Sequence, residues 1–171
     1  MKEPETHDLS LKLFTDGSVD TQSNTGYGAY LVVADLNASF EMLRKSVKVK
    51  RFESTNPAKL ELQTLLWAMT DILSSRMDED LYLTVYTDSQ NIVGLPARRE
   101  QLEKNNFYSS KNRRLNNHQL YKEFYRLTLI LNCRFEKVAG HKASGDMDAI
   151  DRLFALVDKS SRHALRTDLT I

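Results

Sequence analysis

Cysteine is almost absent from this chain. Cys133 is the single cysteine among 171 residues, so no internal disulfide can form. With only four histidines beside it, the chain also lacks the Cys/His spacing that holds structural zinc. Cys133 lies in the apolar run LTLILNCRF, which favours a small core residue over a nucleophile. This sparing use of cysteine fits a reducing compartment, so we expect a cytoplasmic protein.

Long apolar runs and a strong net charge are missing as well. No run approaches the roughly 20 apolar residues that cross a bilayer. The opening MKEPETHDLS is too charged for a secretory signal. The formal net charge is only +1, so overall charge does not indicate a nucleic-acid partner.

Basic residues are nevertheless concentrated in one stretch, where eight of them stand against three glutamates. The eight are Arg98, Arg99, Lys104, Lys111, Arg113, Arg114, Lys122 and Arg126. A local excess of this kind suits a phosphate backbone, and the alternative is a solvated basic face over the helix behind it.

The apolar patterning predicts one mixed α/β domain over residues 11–165, with loose ends at 1–10 and 166–171. The Asn56-Pro57 pair predicts the N-cap and first residue of a helix that runs to about Ser74. Strands are predicted at 11–15, 27–34, 40–52, 81–87 and 134–138, and the segment from Gly17 to Gly28 is predicted to be a loop. Further helices are predicted from Ser89 to near Gly94-Leu95-Pro96, over 118–131, and from Asp148 to about Ala164. We expect the first three strands to be antiparallel and the last two to join the sheet in parallel.

Two aspartates follow apolar strands in matching contexts. Asp16 stands in Phe-Thr-Asp-Gly-Ser and Asp88 in Tyr-Thr-Asp-Ser-Gln. If the two strands are parallel neighbours, their carboxylates meet at one end of the sheet, where open α/β sheets bind ligands. Two like charges held close need a cation or a raised pKa, and hard divalent ions prefer oxygen ligands. Either aspartate alone fits a simple turn cap equally well.

Glu61 is the only acid in LELQTLLWAM, just inside the helix that starts at Pro57. Taken alone, it fits a solvated acid near the positive end of the helix dipole.

Together these motifs resemble the type 1 ribonuclease H family. The resemblance rests on four blocks in order: Thr15 to Ser18, Thr55-Asn56 with Glu61-Leu62, Thr87 to Gln90, and Gly140-His141 followed ten residues later by Asp151. It implies a five-stranded mixed sheet flanked by helices. It also implies that Asp16, Glu61, Asp88 and Asp151 hold two Mg²⁺ or Mn²⁺ ions, which cut the RNA strand of an RNA–DNA hybrid by a two-metal-ion mechanism.

The resemblance implies further roles. The products carry 5′-phosphate and 3′-hydroxyl ends, and His141 assists proton transfer or product departure. The fourth acid is assigned to Asp151 rather than Asp148 or Asp158, since Asp158 lies about two helical turns further on and is expected to be too far from the sheet end.

Substrate contacts are expected from polar groups near the acids and from the basic stretch. Asn56 and Gln90 match family positions that contact the hybrid, and Gly17 and Ser18 lie in the first motif, with Gln22 or Asn24 as further candidates. Reading the 2′-hydroxyl of RNA needs such groups. Arg113 and Arg114 are expected to grip the DNA strand. The chain departs from the family pattern in having Asn56-Pro57 and one extra residue before Glu61.

Other readings stay open at this point. The same acids serve other nucleases of this superfold, such as structure-specific resolvases or strand-transfer enzymes, because one fold hosts many activities. A hybrid-binding module with weak catalysis is a further alternative. No protein partner is evident, and a monomer is expected.

Overall fold

The computed structural model describes residues 9–76, 80–139 and 142–170. The strands are β1 (Leu9–Asp20), β2 (Thr25–Val33), β3 (Lys48–Phe52), β4 (Leu81–Thr87) and β5 (Asn132–Lys137). The helices are α1 (Phe40–Ser46), α2 (Pro57–Ser75), α3 (Gln90–Lys104), α4 (His118–Ile130) and α5 (Ala149–Leu169). Within these ranges, no helix combines the length and apolar character that a membrane span requires.

The five strands form one mixed sheet in the order β3-β2-β1-β4-β5. The pairs β1–β2 and β2–β3 are antiparallel, whereas β4 pairs in parallel with β1 and β5 in parallel with β4. Each parallel strand follows a helix, which supplies the crossover that parallel pairing needs. The predicted mixed sheet, with three antiparallel strands and two parallel ones, is therefore confirmed.

The first hairpin is longer than the apolar pattern indicated. Strand β1 continues through Asp16 to Asp20, and β2 begins at Thr25, so the predicted loop from Gly17 to Gly28 is wrong and only a short turn remains. Polar and small residues pair here because the register between β1 and β2 continues from Gly17↔Gly28 to Asp20↔Thr25. Asp16 thus lies within a strand rather than at its end.

Three other expectations need correction. Residues 40–46 form helix α1 rather than a strand, and only Leu43 of that helix is buried. Helix α3 does not stop near Pro96 but continues to Lys104, because burial of Leu95 and Leu102 on one side compensates for the missing Pro96 N–H. Helix α5 continues past Ala164 to Leu169.

Two apolar layers cover the two faces of the sheet. Helices α2, α3 and α4 pack on one face around Leu13, Leu65 and Phe124, and α5 packs on the other around Phe14 and Val157. Cys133 is half-buried against the first layer, and burial raises the pKa of its thiol to about 12, as expected for a packing residue. The two helices that start next to the strand ends, α2 and α3, therefore lie on one face, opposite α5.

Glycines of the sheet lie directly beneath helix α2 and leave room for its side chains. A Cβ at Gly28 would lie 2.1 Å from Thr64 Oγ1, and one at Gly17 would lie 2.7 Å from Leu60 Cδ2. Both distances are shorter than van der Waals contact, so neither position accepts a larger residue without movement. The first two turns of α2, which carry Glu61, are thereby brought down onto β1 and β2.

Candidate active site

The parallel register of β1 and β4 sets two carboxylates side by side. The last paired residues are Phe14 and Tyr86, whose rings stack with centroids 4.9 Å apart. Asp16 and Asp88 each lie two residues further along the chain, and both line the same recess. The prediction that these strands are parallel neighbours is confirmed, and it brings the two aspartates together.

Glu61 joins the two aspartates from helix α2. The Ser89 hydroxyl, which also caps α3, donates a hydrogen bond to Glu61 Oε2 at 2.6 Å. Asp16, Glu61 and Asp88 line one small recess with the buried hydroxyls of Thr15, Thr64 and Thr87. The three acids that the sequence singled out thus converge at one end of the sheet.

Asp158 is the fourth acid that the fold brings to this group. It lies close enough to Asp16 that hydrogen bonding between the two carboxyl groups and the charge of Asp158 both raise the pKa of Asp16. A nearby contact between the hydroxyls of Ser18 and Ser161, at 3.0 Å, shows that the middle of α5 crosses directly over β1. The expectation that Asp158 lies too far from the sheet end is therefore wrong.

Burial and negative neighbours perturb the acids of this cluster. The pKa of Asp16 is raised from 3.8 to about 8, first by burial, then by the charge of Asp88 and by the hydrogen bond to Asp158. The pKa of Glu61 is also raised, chiefly by burial, with the hydrogen bond from Ser89 opposing the change. A site of this kind favours either a shared proton or a compensating cation.

The donor set suits hard divalent cations, although the side chains are not in ligating positions. In the described part of the chain, no three carboxylate, imidazole or thiol groups lie close enough together to hold an ion as they stand. Glu61 is held by Ser89, and Asp158 by Arg162 at 2.8 Å. These four carboxylates, three of them half-buried and Asp88 exposed, nevertheless match the oxygen chemistry of Mg²⁺ or Mn²⁺. The residues therefore fit such ions once those two side chains exchange their partners.

Asp151 lies on the same helix but is engaged elsewhere. Its Oδ2 accepts hydrogen bonds from the backbone N–H of Asp148 and from Lys142 Nζ, both at 3.1 Å. Asp148 caps the N3 backbone N–H of α5 in return, which completes a capping box. These hydrogen bonds lower the pKa of Asp151, and the one from the Asp148 N–H has the largest effect. Asp151 lines a cavity together with Asp88 and Asp158.

The expected substrate-binding residues are close to the acids but mostly have structural partners. Gly17 lies beneath α2, and Ser18 is bonded to Ser161 on α5. The Asn56 side chain accepts from the Lys59 N–H at 3.0 Å, which confirms it as the N-cap. Gln90 begins α3 and accepts from Lys137 at 3.0 Å while remaining exposed.

The basic stretch begins on α3 and continues into an ordered loop. Phe107 is buried in the core and anchors the loop, and Tyr108 pairs with Arg114 through an isolated bridge. Arg113 and Arg114 are both exposed, and the Arg114 guanidinium lies 5.9 Å from the Tyr108 ring centroid. Two cations project from an anchored loop, as a backbone-gripping role requires.

Two expected residues, Gly140 and His141, lie outside the described residues. Sequence reasoning dismissed Asp158 and did not consider Lys142. A signal for Asp158 was present, since it directly follows Val157 of the buried stripe and lies two turns from Asp151 on the same side of the helix.

Comparisons with known proteins agree with this arrangement. The RNase H family model matches residues 8–156. A ribonuclease H from Caldicellulosiruptor saccharolyticus is 26% identical over 155 residues, which cover 88% of this chain and 97% of that protein.

Two solved structures share the fold. The solution structure of the PFV RNase H domain aligns with a TM-score of 0.65 and 16% identity, covering 90% of this chain and 92% of that one. The foamy viral protease-reverse transcriptase, solved in complex with dsDNA, aligns with a TM-score of 0.61 and 8% identity, covering 94% of this chain and 98% of that one. At such identities the likeness shows the fold alone.

Proposed function

This chain belongs to the RNase H family, and on that premise we propose that it cuts the RNA strand of RNA–DNA hybrids by metal-dependent hydrolysis. The observation that carries the proposal is the convergence of Asp16, Glu61 and Asp88 in one recess at the end of the sheet. Hydrolysis of this type leaves 5′-phosphate and 3′-hydroxyl ends.

Divalent ions fit the cluster better than any other compensating group. Carboxylates from β1, α2, α5 and the end of β4 supply only oxygen ligands, and burial strengthens the attraction between each ligand and a bound cation. Two Mg²⁺ or Mn²⁺ ions held there would supply an activated water and charge neutralisation at the leaving oxygen. The chain's own contribution is to hold these carboxylates close together in a site of low dielectric.

The fourth metal-binding carboxylate in this proposal is Asp151, which the family pattern places ten residues after His141. It is buried and lines a cavity with Asp88. It accepts hydrogen bonds from Lys142 and from the Asp148 N–H, but Asp158 is likewise paired, with Arg162 at 2.8 Å. Asp158, which lies beside Asp16, is the alternative, and substitution of each residue in turn separates the two.

Residues around the acids complete the proposed mechanism. The exposed amide of Gln90, which lies two residues after Asp88, suits recognition of sugar hydroxyls. Arg113 and Arg114 add nonspecific attraction for phosphates at the far end of α3. His141 assists proton transfer or product departure, by family resemblance.

The proposal is tested by cleavage of end-labelled duplexes. RNA–DNA hybrid, RNA–RNA, DNA–DNA and a four-way junction are incubated with the protein in Mg²⁺ and, as a control, in EDTA. We expect cuts confined to the RNA strand of the hybrid and only with the metal. Cutting of the junction instead would assign the chain to the resolvase class, and binding of the hybrid without cutting would make it a binding module.

A further inference from the structure

The edge strand β3 carries two lysines that the acid cluster does not use. The strand lies at one end of the sheet order, and Lys48 and Lys50 are both exposed on it. Because side chains alternate along a strand, Lys48, Lys50 and Phe52 lie on one side of the sheet, the side on which α2 packs. Lysines on an edge strand also hinder pairing with a second sheet, so their charge alone does not identify a ligand.

Aromatic rings order the two ammonium groups. Lys50 Nζ lies 5.3 Å from the ring centroid of Phe52 and 5.6 Å from that of Trp67, within the range of cation–π attraction. Lys48 Nζ lies 5.6 Å from the ring centroid of Tyr30. The rings support one another, since Trp67 contacts both Tyr30 and Phe52 edge to face. A lysine that is ordered in advance loses less entropy when it binds a ligand.

The two lysines differ in their ionic partners. Lys48 is paired with Asp71 at 3.8 Å, and the two side chains are 62% and 39% exposed. Such an exposed pair is weak, so a phosphate can replace the carboxylate. Lys50 has no carboxylate within ion-pair distance in the part of the chain that the structure describes. Its three N–H donors are therefore available to an anion.

Lys50 lies close to the acid recess, measured across the sheet. It pairs with Gly28, which pairs in turn with Gly17, the residue that follows Asp16. Neighbouring strands lie about 4.8 Å apart, so β3 lies about 10 Å from β1 at this level. A duplex carries one phosphate charge per about 1.7 Å of its axis, so a nucleic acid held at the recess presents several phosphates over this distance.

We propose that Lys48 and Lys50 bind neighbouring phosphates of the nucleic acid where it extends from the acid recess over β3. Residues two apart in a strand are separated by about 6.7 Å, which is similar to the separation of neighbouring phosphates along one nucleic-acid strand. The inference rests on the proposed function, because the nucleic acid is the substrate named there. It adds a second basic surface at the edge of the sheet opposite β5, which α3 contacts.

Trp67 provides a local probe of this contact because it is the single tryptophan of the chain. The protein is titrated with an RNA–DNA hybrid in EDTA, where metal-dependent cleavage does not occur, and free tryptophan corrects for absorption by the nucleic acid. A phosphate that binds Lys50 changes the charge beside the Trp67 ring and therefore its emission. We expect this change in the wild type, its loss in Lys50→Gln and its partial retention in Lys50→Arg, because Arg also binds phosphate and stacks on aromatic rings.

The salt dependence of binding gives an independent measure. Loss of one phosphate contact lowers the slope of log affinity against log salt by about one unit. We expect this loss in Lys50→Gln and a loss of about two units when Lys48→Gln is added. Lys45→Gln is the matched control, because Lys45 is an exposed lysine paired with Glu41 on α1, which packs on the other face of the sheet.

Each outcome decides between the possibilities. An unchanged salt slope in the double variant, or an emission change that persists in Lys50→Gln, would overturn the inference, as would wild-type protein that does not bind the hybrid. Polyglutamate that changes the emission at lower concentration than the hybrid would also overturn it and would identify an acidic protein as the partner. Thermal melting of every variant shows that the fold is retained.

Cleavage by the wild type in Mg²⁺, measured separately, tests the proposed function. Hybrid cleavage with an unchanged slope in the double variant would refute the inference alone. The expected slopes without cleavage would refute the proposed function alone.

Discussion

Replacing Asp16 by Asn should stabilise the metal-free protein at neutral pH while abolishing its activity. The folded chain holds the pKa of Asp16 at about 8 against 3.8 for the ordinary carboxyl group, because the group is buried beside Asp88 and Asp158. A carboxyl whose folded pKa is raised contributes fully below its unfolded pKa and loses that contribution as pH rises towards the folded value. The free energy of unfolding should therefore fall between pH 4 and pH 8.

The size of the effect follows from the same values. Each pH unit between the unfolded and folded pKa costs about 1.4 kcal/mol. At pH 7, about three units above the unfolded value, the loss is at most about 4 kcal/mol relative to pH 4. This is a large part of the 5 to 15 kcal/mol, roughly, that stabilises an ordinary domain.

Urea unfolding in EDTA at several pH values measures this difference directly. When the wild-type free energy of unfolding is subtracted from that of Asp16→Asn at each pH, the contributions of titratable groups that both proteins share cancel. We expect the remaining difference in stability to grow with pH. Asp20→Asn is the control on the same strand, because hydrogen bonds from Ser23 and Gln22 lower the pKa of Asp20 and reverse the sign. Parallel curves for wild type and Asp16→Asn would refute the reasoning. Mg²⁺ should stabilise the wild type alone, because a ligand that binds only the folded form raises stability.

Further predictions concern the packing, the loop and the basic stretch. Gly28→Ala should lower the free energy of unfolding by about 1 to 3 kcal/mol, because the added methyl group overpacks against Thr64, and it should also reduce hybrid cleavage. Adding Thr64→Ala should recover both stability and cleavage, which urea unfolding and initial rates measure. His141→Ala should slow turnover without abolishing it, so complete loss or no change in single- and multiple-turnover rates would contradict an auxiliary role. Replacing Arg113 and Arg114 together by Gln should lower the salt dependence of hybrid binding by up to about two units, and an unchanged slope would exclude them from phosphate contact.

The sheet topology and three of the four clustered acids could be predicted from the sequence because they depend on local signals. Thr15-Asp16 and Thr87-Asp88 both follow apolar strand residues, and a crossover lies between them, so parallel pairing of the two strands brings the aspartates together. Asn56-Pro57 marked the start of α2 to the residue. Periodicity together with capping chemistry is sufficient for such features.

The misplaced elements were those that tertiary packing decides. Gly17 to Asp20 looks like a loop by composition, yet it pairs because β2 offers it a continuous ladder. Phe40 to Ser46 has an apolar content that suits a strand, yet it has helix-forming residues and buries only Leu43. Helix α3 continues past Pro96 because Leu95 and Leu102 are buried. The sequence Gly-Leu-Pro, which is typical of a helix end, did not indicate this.

The position of Asp158 beside Asp16 depended on how α5 crosses the sheet. Asp151 and Asp158 lie on the same side of one helix, and only the crossing position decides which one meets Asp16. That position is set by packing of Leu153 and Val157 against the sheet, which no local motif records.

The most direct test of the proposed site compares Asp158→Asn with Asp151→Asn in cleavage of an RNA–DNA hybrid and in calorimetric titration with Mg²⁺. We predict that Asp151→Asn loses both hybrid cleavage and Mg²⁺ binding while it remains folded. Asp158→Asn should keep Mg²⁺ binding and residual cleavage. Full activity in Asp151→Asn together with loss of metal binding in Asp158→Asn would contradict the proposed site and make Asp158 the fourth ligand.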